Sequence, residues 1–327
     1  MLVTPIRWGI LATGNIARKL AHDIDTMEDA VVAAVGSRSQ AAANTFAEEF
    51  GVPHAYGSYD ALIHDPNVDV IYVATPNHLH YQNTMACLRA GKPVLCEKPF
   101  ALNARQAQEM IDYAERHNLF VMEAIWSRFI PAHRKLYELA WTGALGEIRA
   151  INAEFGFRAQ FDPVSRLFDP SKGGGALLDL GVYALALAVK LLGTPDRVTG
   201  FAQLSATNVD EQAAIILGFP SGAVANITCA IRTQLSNDAR IYGTKGRARL
   251  HEPFWRPNDL TTVIDGVEEH LTIPRQNWGY QHELEEVHRC LREGHTESPQ
   301  MPHDDTLTIA RIMDDLRRQW GVTYPGD

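Results

Sequence analysis

Ile6-Arg7-Trp8-Gly9-Ile10-Leu11-Ala12-Thr13-Gly14-Asn15-Ile16-Ala17 starts as a short apolar strand and ends in the opening turn of a helix. Its core, Ala12-x-Gly14-x-x-Ala17, is the G-x-G-x-x-G/A dinucleotide fingerprint with alanine in the first position. Gly14 lets the backbone approach a pyrophosphate, Ala17 lets helix and strand pack closely, and the helix N-terminus favours an anion. Alanine at position 12 implies a turn that needs no left-handed residue there. A bare strand–turn–helix junction has the same local pattern, so the surrounding sequence must decide between the two.

That surrounding sequence alternates. Valine-rich or apolar runs at Ala30 to Val35, Val68 to Ala74, Pro93 to Cys96 and Phe120 to Ala124 predict strands, with a short one at Ala55 to Tyr56. Helix patterns lie between them, at Asn15 to Asp23, Ser39 to Phe50, Tyr59 to His64, Tyr81 to Ala90 and Ala104 to His117. Such alternation predicts an α/β fold, a doubly wound parallel Rossmann sheet. After Trp126 the pattern changes. A helix from Gly174 to Leu192 precedes closely spaced strand runs from Val198 to His251, and two helices close the chain. This predicts an α+β domain with a mainly antiparallel, open-faced sheet. The boundary is expected near Glu123 to Trp126, giving a dinucleotide-binding domain over 1–125 and a substrate and oligomerisation domain over 126–327.

The end of the second strand selects the cofactor. An NAD enzyme usually places a carboxylate there for the ribose 2′-hydroxyl. Here stands Gly36-Ser37-Arg38-Ser39, a guanidinium flanked by hydroxyls, which suits a 2′-phosphate. The expected cofactor is NADP, with NAD the alternative, held by Ala12, Thr13, Gly14, Asn15 and Ile16 and selected by Ser37 and Arg38.

Composition narrows the field. The 327 residues are 46% hydrophobic and 21% charged, a globular balance. A net charge of −9 repels phosphate backbones, so no nucleic-acid partner is expected. The four cysteines form no C-x-x-C pair and read as reduced core thiols of a cytoplasmic protein. The histidines show no metal-ligand spacing, and no metal is expected. Val182 to Leu192, the most apolar stretch, is too short to cross a membrane. Strand residues begin at Ile6, which leaves no room for a signal peptide.

Further segments carry a resemblance: Ala74-Thr75-Pro76-Asn77-His78-Leu79-His80, Cys96-Glu97-Lys98-Pro99, Met122 to Phe129, Gly173-Gly174-Gly175-Ala176-Leu177-Leu178-Asp179-Leu180-Gly181-Val182-Tyr183, Glu297 to Pro302 and Trp320 to Pro325. In this order they resemble the glucose-fructose oxidoreductase/inositol dehydrogenase (Gfo/Idh/MocA) superfamily, and in particular its branch of dimeric dihydrodiol dehydrogenases and NADP-dependent D-xylose dehydrogenases. The resemblance implies that Thr75, Pro76, Asn77, His80, Glu97, Lys98, Trp126 and Arg128 serve the cofactor. It implies that Lys98, Asp179 and Tyr183 are catalytic. Many superfamily members have histidine where this chain has Tyr183, so a tyrosine acid/base is implied here. A homodimer or homotetramer through the second-domain sheet is also implied.

The chemistry the resemblance implies is a hydride transfer between nicotinamide and a carbinol or carbonyl of a sugar or cyclic trans-dihydrodiol. Free tyrosine has a pKa of about 10, and a nearby ammonium lowers it. The expectation is that Lys98, from the nucleotide-binding half, and Tyr183, from the other, meet over one reactive carbon. Trp126, Phe155, Phe157, Trp255 and Trp278 are candidate substrate-stacking rings, with Arg158 and Arg166 for polar substituents. Two alternatives stay open: a reductase or dehydrogenase of another keto- or nucleotide-linked sugar, and a non-catalytic dinucleotide sensor.

Overall fold

The computed structural model describes residues Thr4–Asp327. The chain forms two compact units, one of residues 4–101, 105–126 and 276–303, the other of 102–104, 127–275 and 304–327.

The first unit runs β1 (Ile6–Leu11), α1 (Asn15–Asp25), β2 (Ala30–Gly36), α2 (Gln40–Phe50), β3 (His54–Tyr56), α3 (Tyr59–Ile63), β4 (Val70–Val73), α4 (His80–Arg89), β5 (Val94–Glu97), α5 (Ala104–Arg116) and β6 (Val121–Ala124). The strands lie in the order β3-β2-β1-β4-β5-β6, every pair parallel. This is a doubly wound Rossmann sheet, as the alternation predicts. The order reverses between β1 and β4, and ligands of such sheets bind outside the carboxyl ends of the strands at that point. β4, β5 and β6 are buried at every residue, as parallel strands covered on both faces must be.

The second unit contains α6 (Pro131–Trp141), β7 (Ile148–Gly156), α7 (Val182–Leu192), β8 (Arg197–Leu204), β9 (Asp210–Gly218), β10 (Val224–Ala230), β11 (Ala239–Gly243), β12 (Gly246–Leu250), β13 (Asp259–Ile264) and β14 (Val267–Thr272). Its eight strands are ordered β14-β13-β12-β11-β7-β10-β9-β8 and are antiparallel except where β7 meets β10. β13 and β14 lie outside the predicted strand runs. They are joined by Asp265-Gly266, both at positive φ (49° and 83°), a tight-hairpin signal legible in the sequence. Exposure alternates along β8 through β10, so one face is covered and one open.

The segment Pro170–Leu192 is long and apolar enough to span a membrane by length and composition, longer than the expected Val182 to Leu192, although the Gly173-Gly174-Gly175 loop interrupts its helical course. Most of it is buried within this unit, where it packs on β7, β9 and β10, the behaviour of a core helix.

The chain then returns. α8 (Gln281–Glu293) belongs to the first unit, although a single cut at 125 assigns it to the second. Its approach is held by Asp23, fully buried on α1, which accepts from the Trp278 and Tyr280 amides at 3.2 and 2.8 Å. Trp8 on β1 donates its indole N–H to His288 at 3.0 Å. These partners are far apart in sequence, so no local pattern announces them. The last helix, α9 (His303–Trp320), lies in the second unit from Asp304 onward.

Candidate active site

The dinucleotide loop follows β1. Gly14 is the N-cap of α1 at φ −74°, with no side-chain cap on the helix. A Cβ built on Gly14 meets no atom within 4 Å. Neither backbone conformation nor packing inside the chain therefore requires glycine. What glycine leaves is open space at a helix terminus whose first amides lack intrahelical partners, a fit for a pyrophosphate. Ala12 corrects the expectation made for it. It sits at φ 102°, a region that L-residues rarely adopt, with its amide donating to Gly36 O at 2.9 Å. Alanine therefore occupies the strained position that glycine usually fills, and the β1–β2 connection holds it there.

Ser37 is buried at the end of β2 and Arg38 is exposed. The Arg38 guanidinium bonds the Tyr59 hydroxyl, whose pKa is raised by burial and drawn down by that cation. A 2′-phosphate would meet an accessible guanidinium here.

The loops after β4 and β5 are clamped together. Thr75 is buried, and its hydroxyl accepts from Asn83 at 3.2 Å. His80 is fully buried, with Nδ1 2.7 Å from Pro99 O and Nε2 2.7 Å from Thr75 O. Burial pushes its pKa down to about 4, against the pull of the two carbonyls. The buried ring ties the Thr75 loop to the Lys98-Pro99 loop. Glu97 accepts from Tyr72 Oη at 2.5 Å and from the Lys98 amide at 3.1 Å, bracing the turn that carries Lys98. Glu283 on α8 faces Glu97 and Asp23 with no hydrogen-bond partner for either oxygen among the described residues; burial drives its pKa well up, which favours the neutral acid.

Arg128, implied as a cofactor residue, has a side chain only 1% exposed that bonds Asp305 at 2.5 Å and Ala186 O at 3.1 Å within the second unit. Trp126 is buried in the first unit with its ring 4.5 Å from that of Tyr280. Trp278, in the same unit, packs under the Lys19 ammonium at 4.5 Å.

In the second unit the triple-glycine loop leads into a π-helical turn, Leu177–Gly181, continued by α7. The sequence predicts one uninterrupted helix, and its spacing gives no hint of the π turn. Such turns are frequent at functional sites. Asp179 lies on it and pairs with Arg166 at 2.9 Å. Tyr183, 6% exposed, begins the α-helical part. Phe155 stacks on Trp255 at 3.6 Å, and its ring centre is 5.8 Å from that of Tyr183. The structure thus gathers Tyr183, Phe155 and Trp255 into one aromatic group. Phe157 is half-buried, and its amide donates to Ala230 O. Arg158 is exposed and bridges to Arg232.

A parallel sheet in this strand order, with an uncapped glycine-bearing helix terminus at its switch point, defines a dinucleotide-binding oxidoreductase architecture. Residues 6–125 match the Gfo/Idh/MocA oxidoreductase family with its NAD-binding Rossmann fold, and 133–249 match that family's C-terminal domain. Trans-1,2-dihydrobenzene-1,2-diol dehydrogenases are similar along the whole chain: that of Macaca fascicularis is 38% identical and that of Homo sapiens 36%, each match covering 98% of this chain and 99% of the relative. The chain belongs to the Gfo/Idh/MocA family and is an oxidoreductase of it. Among solved structures, an aldose-aldose oxidoreductase from Caulobacter crescentus, complexed with glycerol, is 28% identical with a TM-score of 0.88, over 96% of this chain and 97% of that one. A 3-ketoreductase from Actinomadura kijaniata, in complex with NADP and TDP-benzene, is 26% identical with a TM-score of 0.86, over 96% and 98%. That enzyme was also solved with one lysine changed to alanine and with one tyrosine changed to phenylalanine.

Proposed function

We propose that this protein is an NADP-dependent dehydrogenase or reductase acting on the carbinol or carbonyl of a trans-dihydrodiol or a sugar. The observation that carries this reading is the full-length similarity to dihydrodiol dehydrogenases in a chain that has Lys98, Asp179 and Tyr183 in the family's motifs. The open Gly14 helix terminus and the accessible Arg38 at the end of β2 support NADP.

When bound, NADP supplies or takes up the hydride. The protein's residues handle the proton and the charge. Tyr183 takes the hydroxyl proton in oxidation and returns it in reduction. Lys98 stabilises the negative charge that develops on the substrate oxygen, as an oxyanion donor does. Asp179, paired with Arg166, fixes the polar end of the π turn and can accept from a substrate hydroxyl. The stacked Phe155 and Trp255 offer an aromatic wall to the apolar face of a ring substrate.

The open face of the eight-stranded sheet exposes Phe201 (74%), Ile216 (49%) and Val224 (38%) on three adjacent strands. Paired register puts all three on one face, and self-association through it is the natural cover.

Tyr183→Phe and Lys98→Met are each expected to lower kcat at least ~100-fold on trans-1,2-dihydrobenzene-1,2-diol or a pentose, with NADP still bound. Turnover is read from reduced-nicotinamide absorbance across a panel of diols, pentoses, hexoses and keto-sugars. Undiminished turnover in either variant removes that residue from the mechanism. Tight NADP binding with no turnover on the whole panel would replace the enzyme reading with a sensor.

A further inference from the structure

The π turn that carries Asp179 starts at an unusual support. Asp210, the first residue of β9, is fully buried. Its Oδ2 accepts the Leu177 amide at 2.6 Å, and its carboxyl also takes the Ala176 amide. Both donors are the unpaired N–H groups that open a helix. The other oxygen, Oδ1, has no hydrogen-bond partner among the described residues. It faces Gly175, which has φ 121°, and a Cβ there would lie 2.2 Å from Oδ1. Tyr324 Oη completes the pocket by donating to Gly174 O at 2.5 Å.

Resting on the proposed roles of Asp179 and Tyr183, we propose that Asp210 is a positioning residue. Its carboxylate fixes the first amides of the π turn and so sets where Asp179 and Tyr183 stand. An anion suits this place twice over, by charge-assisted hydrogen bonds and by the field of the helix terminus. Gly175 is glycine on two counts: its φ of 121° disfavours any side chain, and the carboxylate occupies the space a Cβ would take.

The anchor is also titratable. Burial pushes Asp210 up to about 7 against its hydrogen bonds. The groups facing it are Arg317 on α9, which favours the anion, and Tyr324 and Cys229, both held neutral because burial raises them well above their usual range. The folded state therefore binds a proton between about 4 and 7 that the unfolded chain has lost. Global stability contributed by this group falls as pH rises through that window. The local hold on the turn strengthens over the same window.

The test is Asp210→Asn, with Gly175→Ala as an independent way to displace the carboxyl. kcat is expected to fall about 10- to 100-fold, the scale of a misplacement near 1 Å. KM for NADP should stay within about two-fold, since the cofactor loops lie in the other unit. The acid limb of the wild-type kcat profile near pH 7 should disappear in Asp210→Asn, as should the decline of thermal midpoint between pH 4 and 7. An activity-independent measurement separates this proposal from the enzyme reading: amide exchange at Ala176 to Gly181 should lose at least ten-fold in protection in the variant. Should Asp210→Asn not fold, the wild-type protection factors of the same amides, compared at pH 6 and 8, must rise with pH. Unchanged protection in the variant, or none gained with pH in the wild type, overturns the proposal. So does an acid limb that survives Asp210→Asn.

Discussion

Ile215 and Ile216 are neighbours on β9 with the same side chain, yet one is 1% exposed and the other 49%. No such pair exists on β4, β5 or β6 of the first unit, where every residue is buried. The parallel sheet spends both faces on helices, so its only accessible chemistry is at the carboxyl ends of its strands. The antiparallel sheet covers one face with the π turn and α7 and leaves the other to solvent. It can therefore carry the proposed site helix on one side and the proposed subunit contact on the other. The strand-end loops of the first unit and α7 of the second consequently answer to different constraints, backbone geometry in one and face coverage in the other.

That contrast can be broken most directly at Ile215. Ile215→Ala should lower unfolding free energy by about 2–5 kcal/mol in chemical denaturation, the range for buried large-to-small changes. Ile216→Ala should shift it by no more than about 0.5 kcal/mol. Ile216→Arg should lower the sedimenting mass relative to wild type; equal masses would leave the open face without a subunit role. Next in size is the cofactor loop after β2. Hydrogen bonds to charged groups are worth about 1.5–3 kcal/mol. Arg38→Ala should thus raise KM for NADP roughly 10- to 100-fold and leave that for NAD unchanged. A parallel loss for both cofactors would show that Arg38 does not read the 2′-phosphate. The smallest effect concerns Ala12. Strain of about 1–3 kcal/mol, less the roughly 0.5–1 kcal/mol entropy penalty of glycine, makes Ala12→Gly stabilising by about 1 kcal/mol. A lower denaturation midpoint in Ala12→Gly would mean that φ 102° is not a strained conformation here.

Much of this was legible beforehand. The alternation of strands and helices gave the Rossmann sheet, because period and punctuation are local properties. The loop motifs placed Gly14, Thr75, Lys98 and Glu97 at strand ends, where the structure has them. The burial of Arg128 and His80 is not legible in the sequence because it depends on partners elsewhere: Asp305 and Ala186 for one, Pro99 and Thr75 for the other. The Asp265-Gly266 turn is legible in the sequence, but the polar β14 beside it carries no apolar alternation to mark a strand. The π turn was not readable, since the same apolar run serves α and π geometry equally.

Sequence alone determined the two sheet types, the glycine-bearing helix terminus and the motifs that contain Lys98, Asp179 and Tyr183, all of which follow from residues near one another in the chain. Tertiary structure decided which polar groups are spent on the protein itself and which remain for a ligand. The physical reason is desolvation: a buried donor, acceptor or charge must find its partner in the fold, and that partner can come from any point along 327 residues.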